Sequence, residues 1–397
     1  MNKGLATVQR FALFDYGFRP LFLACGLFGM LAIPAWLWIH LAGEAIWAPL
    51  PSMLWHAHEM IFGFMVAAIA GFLLTAIPSW TGARGFAGRP LVTLTLIWLS
   101  GRAALLLGPG DYWWLALVAE LAFLPALAFL LAPPILRERN RNLAMLGVLA
   151  ALWVADAAFL YAITAVDIEL ANRSLRVALD IVLLLITIIG GRIVPAFTGN
   201  ALRGASVPVS LHSWPWLERS LIGLMLLNVV ASAFYPEASL SGVVAALAAM
   251  LHAVRLAGWR SLRIRGNPIL WVLHVAYAWL PLAFALKAVA LLTGASFAQF
   301  WLHAFGIGAV ATMILAVMSR VSLGHTGRAL VVARPIAGAY VMLTLSALSR
   351  VLLPHTGTIG YDWAIVIAGL LWTAAFALFV AVYGPILARP RVDGRPG

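Results

Sequence analysis

The sequence is poor in charge and nearly free of cysteine. Of its 397 residues only 10% are Asp, Glu, Lys or Arg, whereas soluble domains carry about 25%. A water-facing globular surface cannot be built from that composition. The single cysteine, Cys25, lies in an apolar run. It excludes a disulfide framework, a zinc ribbon or an iron–sulfur cluster within one chain. A cleavable signal peptide is also not expected. The first apolar run, from about Leu21 to Leu41, exceeds the roughly 7–15 residues of a signal's apolar region. The formal charge of +12 does not point to nucleic acid, because the basic residues sit in short loops between apolar runs.

What is present is apolar. Hydrophobic residues make up 63% of the chain, with seventeen Trp and twenty-one Pro. Trp favours membrane interfaces, and Pro is tolerated inside spans. A helix needs about 20 apolar residues to cross the hydrocarbon core. Runs of that size fall near 19–43, 53–80, 89–108, 112–132, 143–165, 172–198, 215–234, 238–257, 268–294, 297–322, 334–353 and 362–387. The expected fold is an all-α polytopic bundle of about twelve transmembrane helices, forming a single domain with short tails.

The loops fix an orientation. Those after spans two, four, eight and ten carry Arg84 and Arg89; Arg137, Arg139 and Arg141; Arg255, Arg260, Arg263 and Arg265; Arg328 and Arg334. The C-terminal tail carries Arg389, Arg391 and Arg395. The alternate loops carry Glu44, Asp111, Asp167, Glu169, Glu237 and Asp362. The positive-inside rule then places both termini in the cytoplasm and requires an even number of spans.

Span two ends in Trp80-Thr81-Gly82-Ala83-Arg84, span ten in His325-Thr326-Gly327-Arg328, and span six in Phe197-Thr198-Gly199-Asn200-Ala201-Leu202-Arg203. His58 and Gly63 precede Thr81-Gly82 by the same spacing as His303 and Gly308 precede Thr326-Gly327. The next spans each carry an outer-end arginine, Arg102 and Arg350. One reading is a threefold repeat of four helices; the other is a Thr-Gly helix end that recurs by chance. The repeat resembles the architecture of the haem–copper oxidase superfamily, which would imply a haem between histidines of spans two and ten, here His58 and His303. Spans six and seven contain no histidine, so a copper site of that superfamily's design is not expected.

Ionisable groups inside spans are costly and mark function. An outer group holds His56, His58 and His303, with Arg102 and Arg350 as candidate cofactor contacts. Residues two apart on a helix stand about 200° apart, so His56 and His58 cannot serve one metal from one face. They serve two centres, or one ligates while the other makes a hydrogen bond. Gly63, Gly306 and Gly308 remove side chains nearby, which admits a flat macrocycle or a close helix. The alternative is interfacial and core histidines with ordinary hydrogen bonds. An inner group holds His252, His274 and His325, with Arg192, Arg255 and Arg320 at comparable depth. Three imidazoles suit copper; with the arginines they equally suit haem propionates, quinone or an anion, or simply pair with loop carboxylates and carbonyls. Glu59, Glu120, Asp156 and Asp180 either relay protons or pair with arginines such as Arg102. Met65, Met313 and Met318 read as core filling.

These residues resemble the NnrS family. The matching stretches are Phe18-Arg19-Pro20-Leu21-Phe22, Trp55-His56-Ala57-His58-Glu59-Met60 through Phe62-Gly63-Phe64, Gly191-Arg192-Ile193-Val194-Pro195, and Leu270-Trp271-Val272-Leu273-His274 with Tyr277-Ala278-Trp279-Leu280. The segment from His303-Ala304 to Leu323-Gly324-His325-Thr326-Gly327-Arg328 also matches. The resemblance implies a haem- and copper-containing bacterial inner-membrane protein of the nitric oxide response. It leaves open which histidine binds which group. The resulting expectation is an oxidoreductase of the nitric oxide reductase type. A b-type haem sits between His58 and His303, and His56 faces a second haem or metal. Electrons arrive from quinol or a donor protein, and protons pass over Glu59 or Asp180. The alternatives are a transporter of a small solute or metal ion and a haem-based sensor without turnover.

Overall fold

The computed structural model describes residues 11–42, 50–106, 108–137, 141–204, 211–212 and 214–395. Glu44 and Arg139, used above to orient the loops, lie outside these residues. Among the described residues there are helices and turns but no strand. This follows from the composition, because in hydrocarbon each backbone N–H and C=O must be paired within its own segment, and an α-helix does that.

Among the described residues, eleven helices are long and apolar enough to cross a membrane: Phe18–Leu41, Ser52–Thr81, Trp113–Arg137, Ala144–Thr164, Ile168–Gly204, Pro215–Phe234, Ser239–Ala257, Pro268–Thr293, Ser296–His325, Arg334–Thr356 and Tyr361–Ala388. A further helix, Arg89–Ala104, has 16 residues and stands third in chain order. Counted with it, the helices coincide one for one with the twelve apolar runs. We refer to them as the first to twelfth helix.

The second helix is the axis of the bundle. In its apolar window 94% of residues are buried, against 33–67% in the other ten long helices. It is also irregular. Residues Glu59–Met65 form a π turn directly after His58. The tenth helix repeats the device, with a π segment over Ala304–Ala311 directly after His303. Such widened turns shift the faces that a helix presents and are frequent at functional sites. Trp98 Nε1 donates to the carbonyl of Gly63 inside the first π turn, at 3.1 Å. Both helices also close alike: Gly82 and Gly327 take left-handed conformations, with φ of 67° and 76°.

The sixth helix does not share the pattern. It is α-helical throughout Ile168–Gly204, and Thr198-Gly199 lies within it instead of ending it. The structure therefore pairs the second helix with the tenth and gives no matching signature in the sixth. A Thr-Gly pair alone does not terminate a helix whose following residues, Asn200-Ala201-Leu202-Arg203, continue it.

The twelfth helix packs on the first. Trp372 Nε1 donates to the Gly29 carbonyl at 2.7 Å. Arg19, fully buried, donates through Nη1 to the carbonyls of Leu387 (2.8 Å) and Arg389 (2.7 Å) at the end of the twelfth helix. Those carbonyls have no partner within their own helix, and an arginine is well suited to take them.

Candidate functional site

His56 and His58 leave the second helix on different sides. His56 lines a cavity of about 260 Å³ together with His303, Arg350 and Arg176. Its walls come from the first, second, sixth, tenth, eleventh and twelfth helices, and the lining is mostly apolar: Ile33, Trp36, Ile61, Leu302 and Trp372 among others. Such enclosed apolar clefts with a few convergent polar groups are the usual form of a cofactor site. Three buried polar atoms of its lining residues have no hydrogen-bond partner, Trp36 Nε1, His56 Nδ1 and Arg350 Nη1. Arg350 is held by Tyr361, whose hydroxyl accepts from Nη2 at 3.1 Å, and by the Phe300 ring, 4.4 Å from its guanidinium carbon. Trp36 stacks against His56 with ring centroids 4.4 Å apart. Met53, Met60 and Met65 also line this cavity.

The glycines divide the work. Gly306 lines the cavity, and a Cβ there would meet nothing within 4 Å. Gly308 instead admits the Trp279 ring, and Gly63 admits Phe28 and Arg102. One glycine of the expected three opens space for a ligand, and two allow close packing.

His58 faces the other way, into a cluster enclosed by the second to fifth helices. Its Nδ1 is 3.2 Å from Glu59 Oε1, and its Nε2 is 3.0 Å from Asp156 Oδ1 and 3.9 Å from Glu120 Oε1. Arg102 Nη1 donates to Glu59 Oε1 at 2.8 Å, and Nη2 donates to Glu120 Oε1. His58, Glu59, Glu120 and Asp156 are each less than 5% exposed. Carboxylates only accept hydrogen bonds. His58 therefore donates from both ring nitrogens or shares a proton or cation with the acids. Phe159 stacks on its ring at 4.7 Å.

This arrangement changes the expected pairing. His58 and His303 do not share a cavity; His56 and His303 do. Both nitrogens of His58 are occupied by carboxylates, so it has no free lone pair to turn towards His303. Arg102 likewise belongs to the carboxylate cluster, while Arg350 lines the cavity.

Asp180, in the sixth helix, lies 3.8 Å from Nζ of Lys287 in the ninth. Nζ also donates to Asn228 Oδ1 at 2.9 Å and Ser232 Oγ at 3.2 Å, and it lies 5.2 Å from the Trp301 ring centre. Sequence reasoning missed Lys287. The signal was available: a lone lysine inside Ala285-Leu286-Lys287-Ala288-Val289 is costly in a membrane and needs a partner.

The inner histidines are not brought together. His252 Nδ1 pairs with the Tyr277 hydroxyl at 2.8 Å, and its ring stacks on Phe284. His274 sits between the hydroxyls of Thr198 and Ser261, each at 2.8 Å. His325 stacks on Tyr16. Arg255 is bound to Glu218 and to the Tyr277 hydroxyl, and Arg320 lies over Phe197. Among the described residues, the group that offers three metal-ligand atoms within 4.8 Å is His58, Glu120 and Asp156. Of the readings open for the inner histidines, a shared copper centre is not what the structure brings together, because each imidazole is engaged by a different local partner.

The family model described as NnrS protein matches residues 12–391. Comparison with curated proteins yields no match.

Proposed function

The chain belongs to the NnrS family, and from that premise we propose that it binds haem in the cavity lined by His56, His303 and Arg350 and acts there on nitric oxide. Its membership makes it a multi-pass membrane protein of the nitric oxide response. The observation that carries the haem reading is the convergence of two imidazoles and a guanidinium on one apolar cavity, with His56 Nδ1 and Arg350 Nη1 buried and unpartnered. Haem asks for this donor set: imidazole for iron, a cation for a propionate, and apolar walls for the macrocycle.

Haem, when bound, supplies an iron that accepts axial ligands and exchanges electrons. The chain's own residues do the rest. His56 and His303 orient the group, and Arg350, braced by Tyr361 and Phe300, neutralises its carboxylates. The apolar lining keeps bulk water out. Reductive coupling of two nitric oxide molecules to nitrous oxide and water consumes two electrons and two protons. Quinol or a donor protein supplies the electrons. Of the two acids expected to carry protons, Glu59 is fixed by Arg102 and His58. Asp180 is likewise paired, with Lys287 beside Trp301, and in this reading either acid carries the protons. The positive-inside pattern of the loops supports a cavity on the periplasmic side of a bacterial inner membrane.

A second reading is supported by Met53, Met60 and Met65, which line the same cavity as the two histidines. Thioether and imidazole together suit copper. The pyridine-haemochrome spectrum and metal analysis of the purified protein separate the two. Haem in the wild type that is lost in both His56→Ala and His303→Ala supports the first reading. Copper without haem, lost in the same variants, supports the second. Full retention of either group in both variants overturns the assignment.

A further inference from the structure

The carboxylate cluster around His58 is not balanced in charge. Glu59, Glu120 and Asp156 bring three negative charges, and Arg102 brings one positive charge. With a neutral imidazole the deficit is two; with a protonated one it is still one. All five groups are enclosed by apolar helices, where an uncompensated carboxylate is heavily penalised.

The geometry suits a metal ion better than a set of isolated ion pairs. One ligand atom each from His58, Glu120 and Asp156 lie within 4.8 Å of one another. Atoms bound to one cation at about 2.0–2.2 Å have separations within that limit. Glu59 accepts from the far nitrogen of His58 at 3.2 Å. A carboxylate behind the imidazole is the usual orienting partner of a metal-binding histidine, and it leaves Nε2 to face the ion. Arg102 clamps Glu59 and Glu120 from one side. The clamp uses Glu120 Oε1, while Oε2 is buried without a partner. Gly101, which has no Cβ, is what lets this carboxylate oxygen pack against the third helix. A cavity of about 10 Å³ lined by Gly101, Arg102, Glu120 and Asp156, but not by His58, lies beside the cluster, about the size of one water.

We propose that His58, Glu120 and Asp156 bind a divalent first-row cation, with Glu59 and Arg102 positioning the ligands. One imidazole and two carboxylates form a borderline-to-hard set, which suits Zn²⁺, Fe²⁺ or Mn²⁺ and not Cu⁺. A divalent charge cancels the deficit of two and leaves the imidazole neutral. The inference is independent of the haem reading, because it uses other side chains on the opposite side of the second helix.

The test uses the full chain in detergent, stripped with chelator and dialysed against Mn²⁺ or Zn²⁺ in separate arms. One high-affinity ion per chain is expected, retained in His56→Ala. In Asp156→Asn and Glu120→Gln the affinity should fall by more than about tenfold. Pulsed electron paramagnetic resonance of the Mn²⁺-loaded wild type should show nitrogen coupling from one bound imidazole, a readout that needs no variant to fold. No binding of either ion, undiminished binding in both carboxylate variants, or a Mn²⁺ signal without nitrogen coupling each overturns the proposal. The first of these outcomes would mean that protons alone balance the cluster.

Discussion

His56 and His58, separated by one alanine on the same helix, serve two different compartments. The first faces a cavity of about 260 Å³ shared with His303; the second is locked between Glu59 and Asp156. A rotation of about 200° over two residues makes this separation obligatory. The two environments are back to back on the most enclosed helix of the bundle.

Haem content should follow that division. His56→Ala and His303→Ala are expected to lose most of the haem. His58→Gln is expected to keep it, with lowered thermal stability. Haemochrome spectra of the three variants beside a melting curve check this. Loss of haem in His58→Gln at unchanged stability would put the ligand on the wrong histidine.

Removing Arg102 leaves Glu59 and Glu120 buried without their cation. Breaking a buried pair from one side costs about 3–5 kcal/mol, so Arg102→Ala should melt far below the wild type. The Arg173–Glu169 pair is 34% and 80% exposed, and Arg173→Ala should cost well under about 1 kcal/mol. Equal losses in the two variants would show that the cluster is not energetically buried.

Lys287 and Asp180 can be tested as a pair. Lys287→Met alone should destabilise by about 3–5 kcal/mol because it strands Asp180. The double variant Lys287→Met/Asp180→Leu should regain much of that stability. If Asp180 carries protons, the rescued protein still fails to turn over nitric oxide. Recovery of both stability and turnover would reduce the pair to a structural role.

The glycines of the tenth helix should differ. A Cβ at Gly308 would lie 2.3 Å from the Trp279 ring, and overpacking of that kind costs about 1–3 kcal/mol. A Cβ at Gly306 meets nothing within 4 Å. Gly308→Ala should therefore lower the melting temperature, whereas Gly306→Ala should leave it unchanged. Circular dichroism melts of the two variants decide.

The sequence made some of this architecture legible and hid the rest for physical reasons. Hydrophobic length located the eleven long helices, because the bilayer demands it, and the run at 89–108 matched the shorter third helix. Helical geometry alone separated His56 from His58. Which of them would face His303 was not readable, since that depends on how the π turns after His58 and His303 rotate both helices. Arg102 was foreseen as a partner for buried acids; that Asp156, from the fifth helix, would take His58 required the fold. His252, His274 and His325 looked like a set because they share a depth. Depth does not fix direction around a helix, and each ring points at its own neighbour.

The contacts of Arg19 bear on how the chain is made. Its guanidinium is fully buried and bound to carbonyls near residue 387, a sequence separation of 368. The first helix therefore enters the bilayer carrying a cation whose C-terminal acceptors do not yet exist. Until the twelfth helix arrives, these particular hydrogen bonds cannot form. Closure of the twelfth helix onto the first therefore waits on synthesis of everything between them, and chains stalled before it lack this contact.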